Sequence, residues 1–185
     1  MTRIQGDRVV LRPFRQGELE RLLEVATAAP TGDGVHWGPR DEPELRAKIS
    51  ESGSWSSGQL TLAMESDGRL VGEIQARGGR GSMPPGVFEL GIELYEEADR
   101  ARGLGSAAVR AITRHLFERE DALRVQVSTD VENVAMRRTV ERLGFTLEGV
   151  LRGFMPTRGG PRDYAMYAIT RSDWEDERNG WTRTS

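Results

Sequence analysis

The sequence contains no cysteine. It therefore has no disulfides, no thiol nucleophile and no cysteine ligands for a metal ion. Histidine is nearly as scarce, because only His36 and His115 are present and they lie far apart in the chain. Two such distant histidines do not form the closely spaced ligand pair of a typical zinc motif. We therefore predict no metal site.

Long apolar runs and an excess of basic charge are also missing. No stretch approaches the roughly 20 apolar residues that a membrane span needs, and the N-terminus lacks the apolar core of a signal peptide. The formal net charge of −3 leaves no basic excess to neutralise the phosphates of a nucleic acid. We expect a cytoplasmic protein, monomeric or homodimeric, whose partners include neither membranes nor nucleic acids.

The length of the chain indicates a single domain. With 185 residues it can bury one full core, and no linker or internal repeat divides it. We place one domain on residues 1–185, with a core from about 8 to 174 and a polar, frayed tail over 175–185. A loop rich in glycine and proline surrounds Trp37, which either walls a binding cleft or anchors the loop on the core.

Hydrophobic periodicity predicts the order strand, two helices, three antiparallel strands, helix, strand, helix and two strands. Asp67-Gly68 marks a hairpin turn in the antiparallel part, and Gly144 marks the end of the last helix. A meander that leads into one strand–helix–strand crossover favours an α/β fold with a mixed central sheet of about seven strands and flanking helices. The predicted strands are 8–12, 60–64, 70–74, 87–94, 123–127, 145–150 and 164–169, and the predicted helices are 18–25, 42–49, 106–117 and 133–143.

A glycine-containing turn, Arg100-Ala-Arg-Gly-Leu-Gly-Ser106, connects the strand 87–94 to the helix 106–117. Two glycines and a serine at such a passage let the backbone approach a ligand closely. The first N–H groups of the helix point outward at the positive end of its dipole, where they hold a phosphate or pyrophosphate. Arg100 and Arg102 add positive charge at the rim. A tight turn with two solvated arginines is the alternative, because a short glycine motif has low specificity by itself.

The same glycines match a dinucleotide-binding fingerprint, Gly103-x-Gly105-x-x-Ala108, with Asp130 in the role of the ribose-binding acid. In that fold the strand ends at the first glycine. Here the mostly polar residues 95–102 separate the strand from Gly103. The chain also offers a single strand–helix–strand unit, and this unit follows a hairpin. An NAD(P)-binding domain is therefore the less favoured interpretation.

The motif Arg100-x-x-Gly103-x-Gly105 resembles the acetyl-CoA pyrophosphate loop of the GCN5-related N-acetyltransferase (GNAT) superfamily. Segments further along the chain closely resemble the RimJ/RimL-type branch of that superfamily. The order and spacing of the predicted elements match from about Arg8 to Trp174, which is nearly the whole chain. The segments that carry the resemblance to the branch are 132–145, 148–152, 163–167 and 173–174.

The resemblance implies a GNAT-like fold whose sheet is splayed at the cofactor site, with acetyl-CoA as the cofactor and no metal. A bulge near Leu94 would part its strand from the strand 123–127, and unpaired backbone groups there would bind the pantetheine arm. Asn133 would contact the cofactor from the following helix, although it fits equally well as the N-cap of that helix. The cofactor-binding residues implied are Leu94, Tyr95, Arg100, Ala101, Arg102, Gly103, Leu104, Gly105, Ser106, Asn133 and Arg138.

Two carboxylates are candidates for the catalytic base. Alternation places Glu89, Gly91 and Glu93 on one face of their strand, opposite the apolar residues that meet the core. Acyl transfer to an amine needs a base, and partial burial raises the proton affinity of a carboxylate. The resemblance favours Glu89, which falls where the superfamily often carries its strand carboxylate, and Glu93 is second. The alternative is that both are solvated residues of an exposed sheet face.

The general acid stays open. Many relatives carry a tyrosine where Val140 stands here, and the RimJ/RimL branch often carries a serine where Met136 stands. Either Tyr167, Tyr164 or Tyr95 supplies the proton, or the thiolate leaves without a dedicated acid, which a thiol pKa near about 8.5 permits. We include Tyr167 among the candidate catalytic residues.

The activity that the resemblance implies is acetyl-CoA-dependent N-acetyl transfer. The absence of cysteine agrees with direct transfer in a ternary complex, without a covalent enzyme intermediate. The acceptor is then a primary amine, either a protein N-terminus, as in the RimJ/RimL branch, or a small molecule such as an antibiotic. The acidic residues Glu89, Glu93, Glu96 and Glu97 favour a cationic acceptor. A domain that binds acyl-CoA without transferring it is the alternative.

Overall fold

One mixed β-sheet forms the centre of the computed structural model, which describes residues 1–28, 41–78, 83–157 and 159–181. His36 and Trp37 lie outside the described residues. Within those residues the sheet has nine strands. They are β1 (Ile4–Gln5), β2 (Val10–Arg12), β3 (Trp55–Ser56), β4 (Gln59–Ser66), β5 (Arg69–Gly78), β6 (Val87–Leu94), β7 (Arg124–Asp130), β8 (Thr146–Thr157) and β9 (Gly160–Thr170).

The helices cover both faces of this sheet. Each of the four helices that periodicity predicts is present, with bounds that differ by a few residues from the expected ones, and a fifth follows the last strand. No helix of the described part of the chain is long and apolar enough to cross a membrane. The helices are α1 (Leu19–Thr27), α2 (Glu42–Glu51), α3 (Leu104–Arg119), α4 (Val134–Arg142) and α5 (Arg171–Trp181).

The strands lie in the order β1-β2-β4-β5-β6-β7-β9-β8, and β3 pairs with β4 beside this path. Strands β4, β5 and β6 form the predicted antiparallel meander. Helix α3 then leads to β7, which pairs with β6 in parallel. The predicted sheet of seven strands is therefore confirmed. The two further strands, β1 and β3, have two residues each, which is too short for a periodic pattern to reveal.

The two faces of the sheet bury different sets of residues. On one face, Phe88 and Leu90 of β6 pack with Leu104 and Ile112 of α3 in the larger apolar core. On the other face a smaller cluster joins α1 and α2 to the sheet. That cluster contains Phe14, Leu22, Leu45, Ile49 and Ala63. The side chains of β6 that alternate with the apolar ones therefore face α1 and α2.

Both turn signals of the sequence are confirmed. Asp67 and Gly68 have positive φ angles of 50° and 74°, as a two-residue type I′ hairpin between β4 and β5 requires. Gly144 has a φ of 80° and ends α4. Its N–H bonds the Glu141 carbonyl at 3.1 Å, and the next N–H in the chain bonds the Val140 carbonyl at 3.0 Å. These two bonds form a Schellman motif.

The polar tail predicted from residue 175 continues a helix in the part that the structure describes, and its fraying stays a prediction. Helix α5 runs from Arg171 to Trp181. At its start the Thr170 N–H donates to Asp173 Oδ2 at 2.9 Å, and the Asp173 N–H donates to the Thr170 hydroxyl at 3.3 Å. Trp174 stacks on Phe117 of α3 with ring centroids 5.2 Å apart. A reciprocal cap and one aromatic contact thus hold a helix whose remaining sequence is polar.

Two glycines that lie within strands should respond differently to replacement by alanine. A β-carbon built on Gly72 would lie 2.2 Å from the Glu93 backbone oxygen, whereas one built on Gly149 meets no described residue within 4 Å. Because a strand backbone cannot yield as a side chain does, we expect Gly72→Ala to lower the free energy of unfolding by about 1–3 kcal/mol. Urea denaturation measures this. Gly149→Ala is the control, and an equal effect in both variants would contradict the close contact at Gly72.

Candidate active site

Strands β6 and β7 separate partway along their length. Their pairing runs from Val87–Arg124 to Leu90–Val127 and stops there. Beyond that point β6 stays paired with β5 as far as Leu94, and β7 stays paired with β9. The central sheet is therefore open between two strands that are each held on their outer side. This gap is the splay that the family resemblance implied.

Backbone groups of both strands point into the gap. The Tyr95 N–H bonds β5 at the Val71 carbonyl, at 3.0 Å. Because the bonding direction alternates along a strand, the N–H groups of Ile92 and Leu94 face the gap. By the same rule the backbone groups of Ser128 and Asp130 face the gap from β7. The Val131 N–H points the other way, because it bonds the Asp163 carbonyl of β9. Leu94 was predicted as a cofactor contact, whereas Ile92 was missed, although alternation alone would have indicated it.

The expected bulge near Leu94 is wrong. The β5–β6 register is continuous from Gly72–Leu94 to Gly78–Phe88. The gap opens earlier, directly after Leu90, because β7 continues its pairing with β9 and leaves β6. A twisted sheet separates in this way without an inserted residue when two neighbouring strands follow different outer partners.

A helix N-terminus without a side-chain cap lies beyond the end of β6. Gly103 is the N-cap of α3 with a φ of 78°, and no side chain caps the first turn. Ala101 has a positive φ of 58°, which is uncommon for a residue with a β-carbon and marks a strained turn. A β-carbon on Gly105 would lie 3.7 Å from the Ile92 side chain and 4.0 Å from that of Leu94. The N–H groups of Leu104, Gly105 and Ser106 thus begin next to the gap, in an arrangement that typically binds an anion.

The two loop arginines differ in their surroundings. Arg102 donates to buried Asp99 at 2.7 Å and lies 3.5 Å from Asp67. Arg8 donates to the Arg102 carbonyl at 3.3 Å. Arg100 makes no ion pair with the described part of the chain. Of the two predicted phosphate contacts, only the Arg100 guanidinium is therefore uncommitted, while Arg102 holds the turn in place.

Asn133 is the N-cap of α4, as the structural interpretation of the sequence expected. Its Oδ1 accepts from the Met136 N–H at 3.1 Å. Asn133 and Arg138 are both exposed. The cap leaves the amide N–H₂ group of Asn133 available for a further contact. A cofactor contact by either residue stays a prediction.

Glu89 lies one residue before the last β6–β7 pair, on the face toward α1 and α2. Its side chain is 13% exposed and is paired with Arg77 of β5 at 3.0 Å. Gln126 of β7 donates to its Oε2 at 3.1 Å, and the Ser128 hydroxyl donates to its Oε1 at 3.3 Å. The carboxylate is thus held at the closed end of the gap by three donors from the two flanking strands.

Glu93 lies at the open end of the gap, directly opposite Glu73 of β5. Glu73 is buried, forms an ion pair with Lys48 of α2, and accepts from the Tyr95 hydroxyl at 2.7 Å. Burial, and then the Glu73 carboxylate, hold the pKa of Tyr95 well above its usual range, so the phenol stays a hydrogen-bond donor. The side chain of Tyr95 therefore supports α2, and its backbone N–H is bonded to Val71 of β5, so a cofactor contact by this residue stays a prediction.

A cleft of about 540 Å³ lies between α2 and the polar face of the sheet. Two of its lining residues, Gln75 and Arg77, are the β5 neighbours of Gly91 and Glu89. Sequence reasoning missed both, because the register between β5 and β6 brings them to the site. The cleft is lined by Glu44, Ala47, Lys48, Glu51, Ser52, Ser56, Gln59, Thr61, Gln75 and Arg77.

Tyr167 is fully buried on the opposite face of the sheet. Its hydroxyl donates to Glu141 at 2.7 Å and accepts from Arg137 at 3.1 Å. Burial raises the pKa of Tyr167; Arg137 lowers it and Glu141 raises it further, with a net rise. The structure thus brings Tyr167 together with α4 rather than with Glu89. Val140, at the position where many relatives carry a tyrosine, is buried in the same core.

Solved structures with the same fold include known acetyltransferases. A putative acetyltransferase from T. thermophilus is 24% identical, with 98% of this chain and 95% of that chain covered and a TM-score of 0.74. A RimL alpha-N-protein acetyltransferase in complex with coenzyme A is 18% identical, with coverages of 91% and 98% and a TM-score of 0.75. RimJ from Mycobacterium smegmatis, in complex with CoA-disulfide, is 19% identical, with coverages of 96% and 95% and a TM-score of 0.71. At these identities the likeness shows the fold.

The family is shown by the sequence itself. No match was found among proteins of curated function. Residues 8–146 match the family described as Acetyltransferase (GNAT) domain. This range contains the gap between β6 and β7, the turn before α3 and the whole of α4. The chain therefore belongs to the GNAT family of N-acetyltransferases, as its motifs predicted.

Proposed function

We propose that this GNAT enzyme acetylates a primary amine by direct transfer from acetyl-CoA within a ternary complex. The observation that carries the proposal is the gap between β6 and β7, which has an anion site at its open end and Glu89 at its closed end. A ligand with a pyrophosphate at one end and a reactive group at the other fits such a gap. The cleft under α2 approaches Glu89 from the other side, because Arg77 lines the cleft and is paired with Glu89.

The described residues fit coenzyme A in charge and in hydrogen bonding. The first-turn N–H groups of α3 and the Arg100 guanidinium would hold the pyrophosphate. The N–H groups of Ile92 and Leu94 would bind the pantetheine amides, since the sheet gives them no partner. Asn133 and Arg138 would contact the cofactor from α4. When bound, acetyl-CoA supplies an acetyl thioester that is activated toward an amine.

Glu89 is our candidate for the base. A thioester at the closed end of the gap would lie beside Glu89, whose partner Arg77 lines the cleft. The carboxylate takes a proton from the acceptor ammonium, directly or through a water molecule. The neutral nitrogen then forms the new C–N bond while the C–S bond breaks and its electron pair leaves with the sulfur. The second proton that the nitrogen loses neutralises the thiolate. Glu93 is the alternative base, at the open end of the gap.

We propose that neither Tyr95 nor Tyr167 is the general acid, which leaves Tyr164 or departure of the thiolate without a dedicated acid. The hydroxyls of Tyr95 and Tyr167 each donate to a carboxylate, and the pKa of each is raised, first of all by burial. A phenol in such surroundings gives up its proton less readily than one in water. A thiol with a pKa near about 8.5 is an adequate leaving group by itself.

The acceptor is a protein N-terminus or a small-molecule amine. The protein substrate is supported by the fold shared with the RimL alpha-N-protein acetyltransferase, and both acceptors present the same primary amine. A thiol-release assay with acetyl-CoA against N-terminal peptides, polyamines and aminoglycosides tests the proposal directly. Tight coenzyme A binding without thiol release for any amine would favour the alternative, a domain that binds acyl-CoA without transferring it.

Substitution of Gly105 tests the anion site. Gly105→Asp places a carboxylate in the first turn of α3, where it repels a pyrophosphate but is favourable to the helix dipole. We expect the affinity for acetyl-CoA, measured by calorimetry, to fall by at least about tenfold, or roughly 1.4 kcal/mol, with the melting temperature retained. Gly105→Ala is the matched control, because its β-carbon makes contacts of 3.7 Å and 4.0 Å, which are ordinary. Equal affinities in the two variants would rule out this turn as the pyrophosphate site.

Substitution of the two carboxylates tests the base. Glu89→Gln keeps the size of the side chain and removes its charge, so acetyl-CoA should still bind. We expect kcat at neutral pH to fall by about 10²–10⁴ and to recover partly at high pH, where more of the amine is already neutral. Glu93→Gln is the comparison and should lose much less. The reverse ranking would transfer the role to Glu93, and near-normal rates in both variants would mean that positioning alone drives the reaction.

A further inference from the structure

The side chain of Gln75 connects a buried carboxylate to the space above Gly91. It lies on β5 between Glu73 and Arg77, on the face that carries Glu89. Its Nε2 donates to Glu73 Oε1 at 2.9 Å. Its Oε1 faces Gly91, because a β-carbon built on that glycine would lie 4.0 Å from this oxygen. One end of the amide is therefore bound within the protein, and the other end faces the site.

The charge of Glu73 determines which end faces the site. An ionised carboxylate only accepts hydrogen bonds, so the amide N–H₂ of Gln75 must face Glu73 and its oxygen must point away. Glu73 is 4% exposed, and a buried carboxylate is costly unless a cation is paired with it. The Lys48 ammonium of α2 supplies the cation, and the Tyr95 hydroxyl donates to the same carboxylate oxygen. The orientation of the amide thus follows from the charge of its neighbour.

The space above Gly91 lies at the beginning of the gap. Gly91 is the first β6 residue beyond the last pair with β7. Among the residues that the structure describes, a β-carbon there would meet only Arg77 Nη1 at 3.6 Å and the Gln75 oxygen at 4.0 Å. Arg77 Nη2 in turn bonds Glu89 at 3.0 Å. Two oxygen acceptors, from Gln75 and Glu89, therefore lie beside one open space that the cleft under α2 adjoins.

We propose that the carbonyl oxygen of Gln75 binds and orients the acceptor nitrogen, and that this contact makes the enzyme selective for primary over secondary amines. The proposal rests on the proposed function and specifies its acceptor. A neutral primary amine has two N–H groups and one lone pair. When the N–H groups donate to Gln75 and Glu89, the lone pair is left to point at the acetyl carbon. A secondary amine has one N–H group and leaves one of the two acceptors unpaired, which is costly at a half-buried site.

Gln75 is thus a substrate-binding residue, and Glu73 and Lys48 are positioning residues that act through it. Removing the Gln75 oxygen should weaken acceptor binding without changing the anion site. Its effect should also depend on the number of N–H groups of the acceptor, which a purely structural role of Gln75 would not produce.

The first experiment uses the native protein. Thiol release from acetyl-CoA is measured with an alanine-initiated peptide amide, spermidine and kanamycin, and the fastest acceptor is compared with its derivative methylated at the reactive nitrogen. We expect kcat/KM for the primary amine to be higher by about tenfold, as the loss of one hydrogen bond at a half-buried site predicts. Equal values would overturn the proposal. The absence of thiol release with every amine would instead contradict the proposed function itself.

The second experiment uses Gln75→Met, which keeps the length of the side chain and removes both amide atoms. We expect kcat/KM for the primary amine to fall about tenfold and the value for the methylated amine to stay the same, so that the preference disappears. Affinity of the primary amine for the enzyme–coenzyme A complex, measured by calorimetry, should fall in parallel, while the affinity for coenzyme A stays unchanged. Gln5→Met makes the same change on the edge strand β1, away from the cleft, and should keep the preference. A preference retained in Gln75→Met would overturn the proposal.

Gly91→Ala is an independent variant that leaves the Glu73 cluster intact. Its methyl group would occupy the space that we assign to the acceptor nitrogen, with ordinary contacts of 3.6 Å and 4.0 Å to its neighbours. We expect kcat/KM for the primary amine to fall by at least about tenfold, with unchanged melting temperature and coenzyme A affinity. Full activity in Gly91→Ala would show that the nitrogen does not bind above this glycine.

Discussion

The end of the β6–β7 pairing at Leu90 and Val127 is the constraint on which the rest of the site depends. Backbone N–H and C=O groups beyond it have lost a strand partner, and a buried group of this kind needs another partner. The gap does not close, because β5 and β9 hold the two strands on their outer sides. A ligand that carries its own amides, as pantetheine does, could bond the Ile92 and Leu94 N–H groups, for which the sheet provides no partner. The candidate anion site lies at the open end of this gap, the candidate base lies at its closed end, and the cleft under α2 adjoins it.

A buried charge cluster connects the acceptor side of the sheet to α2. Lys48 is the single lysine of the chain, and its ammonium pairs with Glu73 and lies 5.3 Å from the Phe14 ring centroid. A buried ion pair adds little net stability, because desolvation offsets most of the attraction. Its structural consequence is geometric, since it holds α2 over the sheet and holds Gln75 in one orientation through Glu73. We infer that this cluster serves the geometry of the cleft more than the stability of the fold.

The parts of this structure that follow from local chemistry were predictable from the sequence. The bounds of β6, the Asp67 hairpin and the Gly144 helix end each depend on a few neighbouring residues. Alternation likewise places Glu89 on the polar face, and the turn before Gly105 indicates an anion site. Gln75, Arg77 and Lys48 join the site only through strand register and helix docking, for which one sequence has no local signal. Helix α5 was missed for a related reason, because the contact of Trp174 with Phe117 is a tertiary one.

Under our proposal that the acceptor nitrogen binds above Gly91, the charge balance there bears on which protonation state of the amine is bound. Glu89 is paired with Arg77, so the site has little net negative charge with which to hold an ammonium ion. Arg77 Nη1 lies close to the position of the nitrogen, and a neighbouring cation favours the neutral form of an amine. Two oxygen acceptors nevertheless remain for the N–H groups of that neutral form. The arrangement therefore favours the protonation state in which the nitrogen has a free lone pair, and it orients this lone pair toward the gap. Orientation and proton removal are in this sense effects of the same few side chains.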